Sequence, residues 1–129
     1  MIIDSSAIVA IAREESEAVT FTAAIENAAD VRISAATLFE VTLVLGPDAH
    51  DYVDQFVESG RIEVVAFDAR QYHVARRAHA AYGRGSGSPA RLNFGDCFAY
   101  ALAIVSEMPL LFKGQDFVHT DVVPAVAVS

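Results

Sequence analysis

At 129 residues, with 53% hydrophobic and 20% charged content, the chain carries material for one domain with a substantial core. No apolar run approaches the ~20 residues of a membrane helix, and the acidic opening Met1-Ile2-Ile3-Asp4 lacks the basic start of a secretory leader, so a cytoplasmic location without membrane attachment is expected. The lone Cys97 excludes a disulfide framework and a thiolate metal cluster, and a net charge of −8 argues at first against nucleic acid as a partner.

The distribution of that charge changes the picture. Residues 1–60 carry a net −9 and residues 61–129 a net +1. Arg70, Arg76, Arg77, Arg84 and Arg91 follow one another with no acid between Asp68 and Asp96. This is a local basic track, for which a solvated helix face plus a polar loop is the plain alternative.

In chain order, Ile2-Ile3 reads as a short strand ending at Asp4, with Ser5 and Ser6 offering caps for a helix through Ile11. Ser16 to Ala28 has helical spacing with Val19, Ala23 and Ile25 inward, and Val31 to Ser34 alternates as a strand. Thr37 to Leu45 is helical until Gly46-Pro47, after which Asp48 is expected to cap a helix carrying Tyr52, Val53, Phe56 and Val57, closed by Gly60. Ile62 to Phe67 is the next strand, and Asp68 caps a helix from Ala69 to Tyr82. Gly83 to Pro89 reads as the one flexible stretch. Asn93 to Glu107 is a helix, Leu110 to Phe112 a strand, and Val122 to Val128 a candidate final strand. Alternating strands and helices imply a parallel sheet covered on both faces, with functional residues at the carboxyl ends of its strands.

Four carboxylates lie where carboxylates are costly. Asp4 follows Met1-Ile2-Ile3, Glu40 sits on a largely apolar helix face with no Lys or Arg within a turn, Asp96 opens an apolar helix, and Asp116 follows Leu110-Leu111-Phe112. Removing one such group from water costs several kcal/mol, and gathering like charges at ~4 Å adds roughly 4 kcal/mol per pair at a surface-like dielectric. A divalent cation reverses that sign. Hard oxygen donors without thiolate or clustered imidazole suit Mg²⁺ or Mn²⁺, which leave room for substrate phosphate oxygens. Each acid also has a bland role available: Asp4 as a helix cap, Asp96 in a capping box with Asn93, Asp116 and Asp121 as solvated loop residues. His50, His73, His79 and His119 show no ligand spacing and are taken as structural or surface groups. Ser6 and Asn93 are placed to orient the carboxylates, and Arg84 and Arg91 to hold phosphates.

Together these residues resemble the PIN-domain ribonucleases of the VapC toxin type over the whole chain, residues 1–129, read as a single domain. The resemblance rests on Ile3-Asp4-Ser5-Ser6-Ala7, Phe39-Glu40, Leu92-Asn93-Phe94-Gly95-Asp96-Cys97 with the helix after it, and Leu110-Leu111-Phe112-Lys113-Gly114-Gln115-Asp116-Phe117 followed by Thr120-Asp121. It implies a three-layer α/β/α fold with a central parallel sheet and Mg²⁺ or Mn²⁺ held by Asp4, Glu40, Asp96 and Asp116. It further implies endonucleolytic cleavage of structured RNA such as tRNA or rRNA, a VapB-type antitoxin partner, and a homodimer. Many PIN domains carry an acid two residues before the position of Asp116, where this chain has Gly114. The fourth ligand is therefore Asp116, Asp121, or a water held by either.

Two rivals come from other classes. An α/β phosphohydrolase would use Asp4 as a phosphoryl acceptor, but that class resembles Asp-x-Asp and this chain reads Asp4-Ser5-Ser6. A non-catalytic RNA-binding module of the same fold would have no reason to retain four acids in costly places.

Overall fold

A computed structural model describes residues 1–128. Its centre is a four-stranded, wholly parallel sheet of β1 (Ile2–Ile3), β2 (Arg32–Ser34), β3 (Glu63–Val65) and β4 (Leu110–Leu111), in the order β3-β2-β1-β4. Six helices connect and cover it: α1 (Ser5–Ala12), α2 (Ala18–Asn27), α3 (Ala35–Leu45), α4 (His50–Ser59), α5 (Ala69–Tyr82) and α6 (Phe94–Ser106). This is the α/β/α arrangement expected from the alternation of elements. Among the described residues, no helix is long and apolar enough to cross a membrane.

Neighbouring strand residues point to opposite sides, which divides the core in two. Ile2 and Leu110 pack with Leu92, Ala99, Leu102 and Ala103 on the α5/α6 side. Ile3, Ile33 and Leu111 pack with Ile8, Phe21, Val41 and Val53 on the side of α1 to α4. β1, a central strand, is fully buried, and so is the edge strand β4, whose outer side is covered by residues 123–125 through hydrogen bonds to Leu110.

Local chemistry sets the helix starts. Asp4, rather than Ser5 or Ser6, caps α1, its carboxylate accepting from the Ser6 amide at 3.1 Å. Ser34 caps α3 through the Ala36 amide, Asp68 caps α5 through the Gln71 amide at 2.9 Å, and Asn93 with Asp96 forms the expected capping box on α6.

Several expectations need correction. α2 begins at Ala18 because the Ser16 hydroxyl is spent on Glu17, and its buried pair is Phe21 and Ile25, leaving Val19 and Ala23 exposed. A 3-10 turn over Pro47–Ala49 separates α3 from α4, so α4 starts at His50 without a side-chain cap and Asp48 stays exposed. The 122–128 region makes one bridge, Leu110 to Pro124, with the Leu110 and Ala125 amides each bonded at 2.8 Å, and does not extend into a strand. The glycine-rich stretch is not a free loop. The Arg84 amide bonds to Leu92 O and the Leu92 amide to Tyr82 O, while Ser86 Oγ donates to Gly83 O at 2.6 Å and Ser88 Oγ accepts from the Ala90 amide. Gly85 and Gly87, both at φ +86°, supply the left-handed turns that this closure requires.

Candidate active site

β1 delivers Asp4 to the carboxyl edge of the sheet. Its amide donates to Leu111 O at 2.9 Å, fixing it beside the end of β4, and the residue is 2% exposed. Oδ2 accepts from both the Ser6 amide and Ser6 Oγ, the latter at 2.6 Å. Ser6 Oγ in turn accepts from the Lys113 amide at 3.0 Å, so one hydroxyl ties Asp4 to the loop after β4. Oδ1 is buried without a protein partner. Burial pushes the Asp4 carboxyl up to about 6, against the opposing bonds from Ser6 and with a further push from the charge of Glu40.

Asp96 sits in the first turn of α6, also buried, with Oδ2 accepting from the Asn93 amide at 3.0 Å and its own amide donating to Asn93 Oδ1 at 2.9 Å. Burial lifts it to about 7; the Asn93 amide opposes this, while the charges of Asp4, Asp116 and Glu40 add to it. The charges of Asp4, Glu40 and Asp116 thus all act on Asp96, and that of Glu40 also on Asp4. Ser6, through its amide and hydroxyl, and Asn93, through its amide, each hydrogen-bond one of these two carboxylates.

Glu40 reaches this cluster across α6. A Cβ on Gly95 would lie within 3 Å of the Glu40 carboxylate carbon and both its oxygens. Gly95 thus forms the notch that admits Glu40, a role that the sequence reading missed. The available signal was a glycine in the first turn of an apolar helix, where alanine is better by up to about 1 kcal/mol. Thr37, one turn before Glu40 on α3, is a second such feature: fully buried, with a hydroxyl oxygen that has no partner.

Of the two loop acids, Asp116 belongs to the group whose charge acts on Asp96. Asp121 does not. It is held by the Tyr100 hydroxyl, one turn further along α6, and borders a cleft with Glu107 and Met108 toward the far end of that helix. Burial and this bond push the Tyr100 hydroxyl up. Gly114, at φ +101°, occupies a backbone conformation that an acidic residue would adopt only under strain. Lys113 cannot neutralise the cluster, because its ammonium pairs with Glu15 at 3.1 Å and Glu17 at 3.3 Å.

The donor set and the orphaned Asp4 Oδ1 fit a hard divalent cation. Among the described residues no three His, Cys, Asp or Glu side chains already close into a metal cage. Mutual repulsion of ionised carboxylates, roughly 4 kcal/mol per pair at ~4 Å, is a physical reason for ion-free side chains to stand apart.

The other singled-out residues lie elsewhere. Cys97 is buried, its thiol donating to Asn93 O and pushed up to about 11 by burial, as an inert core thiol should be. All four histidines are exposed, as are Arg84 and Arg91. Arg91 holds φ +55°, two residues before Asn93.

A family model of the PIN domain matches residues 1–123. The chain is 46% identical over 129 residues to ribonuclease VapC42 of Mycobacterium tuberculosis, covering 97% of this chain and 98% of that one. It is 47% identical over 126 residues to ribonuclease VapC28 of the same organism, covering 95% of each. Among solved structures, the fold matches that of Mycobacterium tuberculosis VapC20, described as a sarcin-ricin loop cleaving toxin, with a TM-score of 0.72 at 17% identity over 95% of this chain and 98% of that one. A sheet, an acid cluster and a run of relatives that agree over nearly the full length lead to one assignment: the chain belongs to the PIN-domain family, among its VapC ribonucleases.

Proposed function

We propose that this chain is a Mg²⁺- or Mn²⁺-dependent endoribonuclease and the toxin of a toxin–antitoxin pair, a single PIN domain acting in the cytoplasm on structured RNA such as tRNA or rRNA. The observation that carries the reading is that the buried Asp96 feels the charges of Asp4, Glu40 and Asp116, and that the buried Asp4 has one carboxylate oxygen, Oδ1, without a partner. A carboxylate oxygen that has left water without finding a donor either takes a proton or faces a cation, and above about pH 6 the ionised Asp4 favours the cation.

Asp4, Glu40, Asp96 and Asp116 would hold the ion. When bound, it supplies the Lewis acidity that makes water nucleophilic at neutral pH and offsets charge on the scissile phosphate. Ser6 locks one Asp4 oxygen and leaves the other free to face the ion, and the Asn93 amide does the same for Asp96. Gly95 keeps the Glu40 carboxylate in line. Arg84 and Arg91, exposed on the hydrogen-bonded loop before α6, are assigned to RNA phosphates.

The α3 residues Phe39, Leu43 and Val44 are 63%, 66% and 47% exposed beside Glu40. A strip of that kind favours coverage by a partner, here an antitoxin and a second copy of the chain. A basic antitoxin side chain, most suitably Arg with its planar fork, would pair with the acid cluster and displace the ion.

The test is cleavage of a total tRNA and rRNA preparation with and without Mg²⁺ or Mn²⁺, using wild type and Asp4→Asn. Metal-dependent cuts made by wild type alone are expected. Equal cleavage by Asp4→Asn would remove the basis of the reading.

A further inference from the structure

A cleft of about 440 Å³ runs between α5 and α6, and its rim begins in the same helical turn as Asp96. One wall is a single face of α5, where Tyr72, Arg76 and His79 recur at spacings of four and three. The other is Phe94 and Phe98 of α6, closed at one end by Phe67. Phe98 sits between two edge-on aromatic neighbours, Phe67 at 4.7 Å and 81° and Phe94 at 4.9 Å and 87°. That packing holds Phe94 in place yet leaves it 80% exposed.

The charge on the cleft is one-sided. Arg76 lies over the Tyr72 ring at 5.8 Å and donates to its hydroxyl at 3.3 Å, with no carboxylate partner among the described residues. No acid lines the cleft, and none occurs between Asp68 and Asp96. An apolar aromatic floor beside an unpaired guanidinium matches the two faces of a nucleotide, base and phosphate. A basic protein segment would be repelled.

Resting on the ribonuclease reading above, we propose that this cleft is a nucleobase subsite: an unpaired base next to the scissile phosphate stacks on Phe94, and Arg76 holds the neighbouring phosphate. The α6 first turn then serves both parts of one nucleotide. Gly95 and Asp96 face the acid cluster, while Phe94 and Phe98 face the base. Because stacking is blind to base identity, the subsite selects unpaired over paired RNA rather than one sequence.

Binding is measured separately from cleavage, in an Asp4→Asn background, with a single-stranded RNA octamer carrying one 2-aminopurine. Phe94→Leu should weaken binding roughly tenfold and abolish the quenching of 2-aminopurine fluorescence, without changing the salt slope, since stacking releases no counterions. Phe94→Tyr should restore both. Arg76→Ala should instead lower the slope of log affinity against log salt by about 0.7. A Phe94→Leu protein that binds and quenches like its parent overturns the subsite, as does one whose only change is a smaller oligomer in sedimentation, which would assign the cleft to a second copy. If protein with Asp4 intact cuts RNA while Phe94→Leu binds and quenches like its parent, the subsite alone fails. If wild type neither binds nor cuts RNA, both proposals fall.

Discussion

Gly95→Ala separates the architecture of the site from the stability of the fold. The added Cβ would sit within 3 Å of three atoms of the Glu40 carboxylate, closer than real Cβ contacts come, so the carboxylate must turn away. It is the far end of a flexible side chain, and the movement costs the fold little. Alanine also improves helix propensity by up to about 1 kcal/mol, less in a first turn. Melting temperature should therefore hold or rise by a few degrees, while metal affinity and RNA cleavage fall by roughly 10- to 100-fold, the range for disturbing a group that orients a metal ligand. Both are read on one sample, by thermal unfolding and by single-turnover cleavage across a Mg²⁺ titration. In a Glu40→Gln background the same substitution should cost nothing further, because the two act as a unit. Wild-type cleavage by Gly95→Ala at low Mg²⁺ would refute the notch.

Asp4→Asn should abolish cleavage and raise the stability of the metal-free protein at pH 8. A native carboxyl at about 6 against 3.8 carries about 3 kcal/mol of unfavourable ionisation there, so a gain of order 1–3 kcal/mol is expected by denaturant titration, and a loss would contradict it. The pH dependence follows with its sign. Between about pH 4 and 7 the native state holds more protons on Asp4 and Asp96 than the unfolded state does, so the contribution of these groups to metal-free stability declines as pH rises through that window. Mg²⁺ competes with those protons, and the rise in melting temperature on adding it should be larger at pH 8 than at pH 5; an equal rise would count against ligation by these acids. Changing Arg84 and Arg91 together to Ala should weaken RNA binding across sequences and lower the salt slope by roughly 0.7 per lost contact, with an unchanged slope returning them to the solvated surface.

Strand and helix alternation made the layered fold legible, because Ile2-Ile3 and Leu110-Leu111 are apolar runs too short for anything but buried strands. Asp4, Glu40 and Asp96 stood out by the cost of their positions. What escaped was set by tertiary partners. Val19 looked inward by helical spacing, yet Phe21 and Ile25 fix the phase of α2. That Asp121 is engaged elsewhere depends on Tyr100, a residue 21 positions away whose hydroxyl donates to it. The glycine-rich loop looked free by composition, whereas its serines and positive-φ glycines close it on itself. Gly95 had only a propensity penalty to mark it, and its meaning lay on another helix.

The central claim is that four carboxylates share one divalent ion, and direct calorimetric titration of Mn²⁺ into RNA-free protein tests it without relying on activity. Wild type should bind with release of protons at pH 6.5, where Asp4 and Asp96 are partly protonated, and Asp4→Asn, Glu40→Gln, Asp96→Asn and Asp116→Asn should each weaken binding while Asp121→Asn leaves it unchanged. Wild-type affinity in the Asp4→Asn and Asp96→Asn proteins would contradict the account.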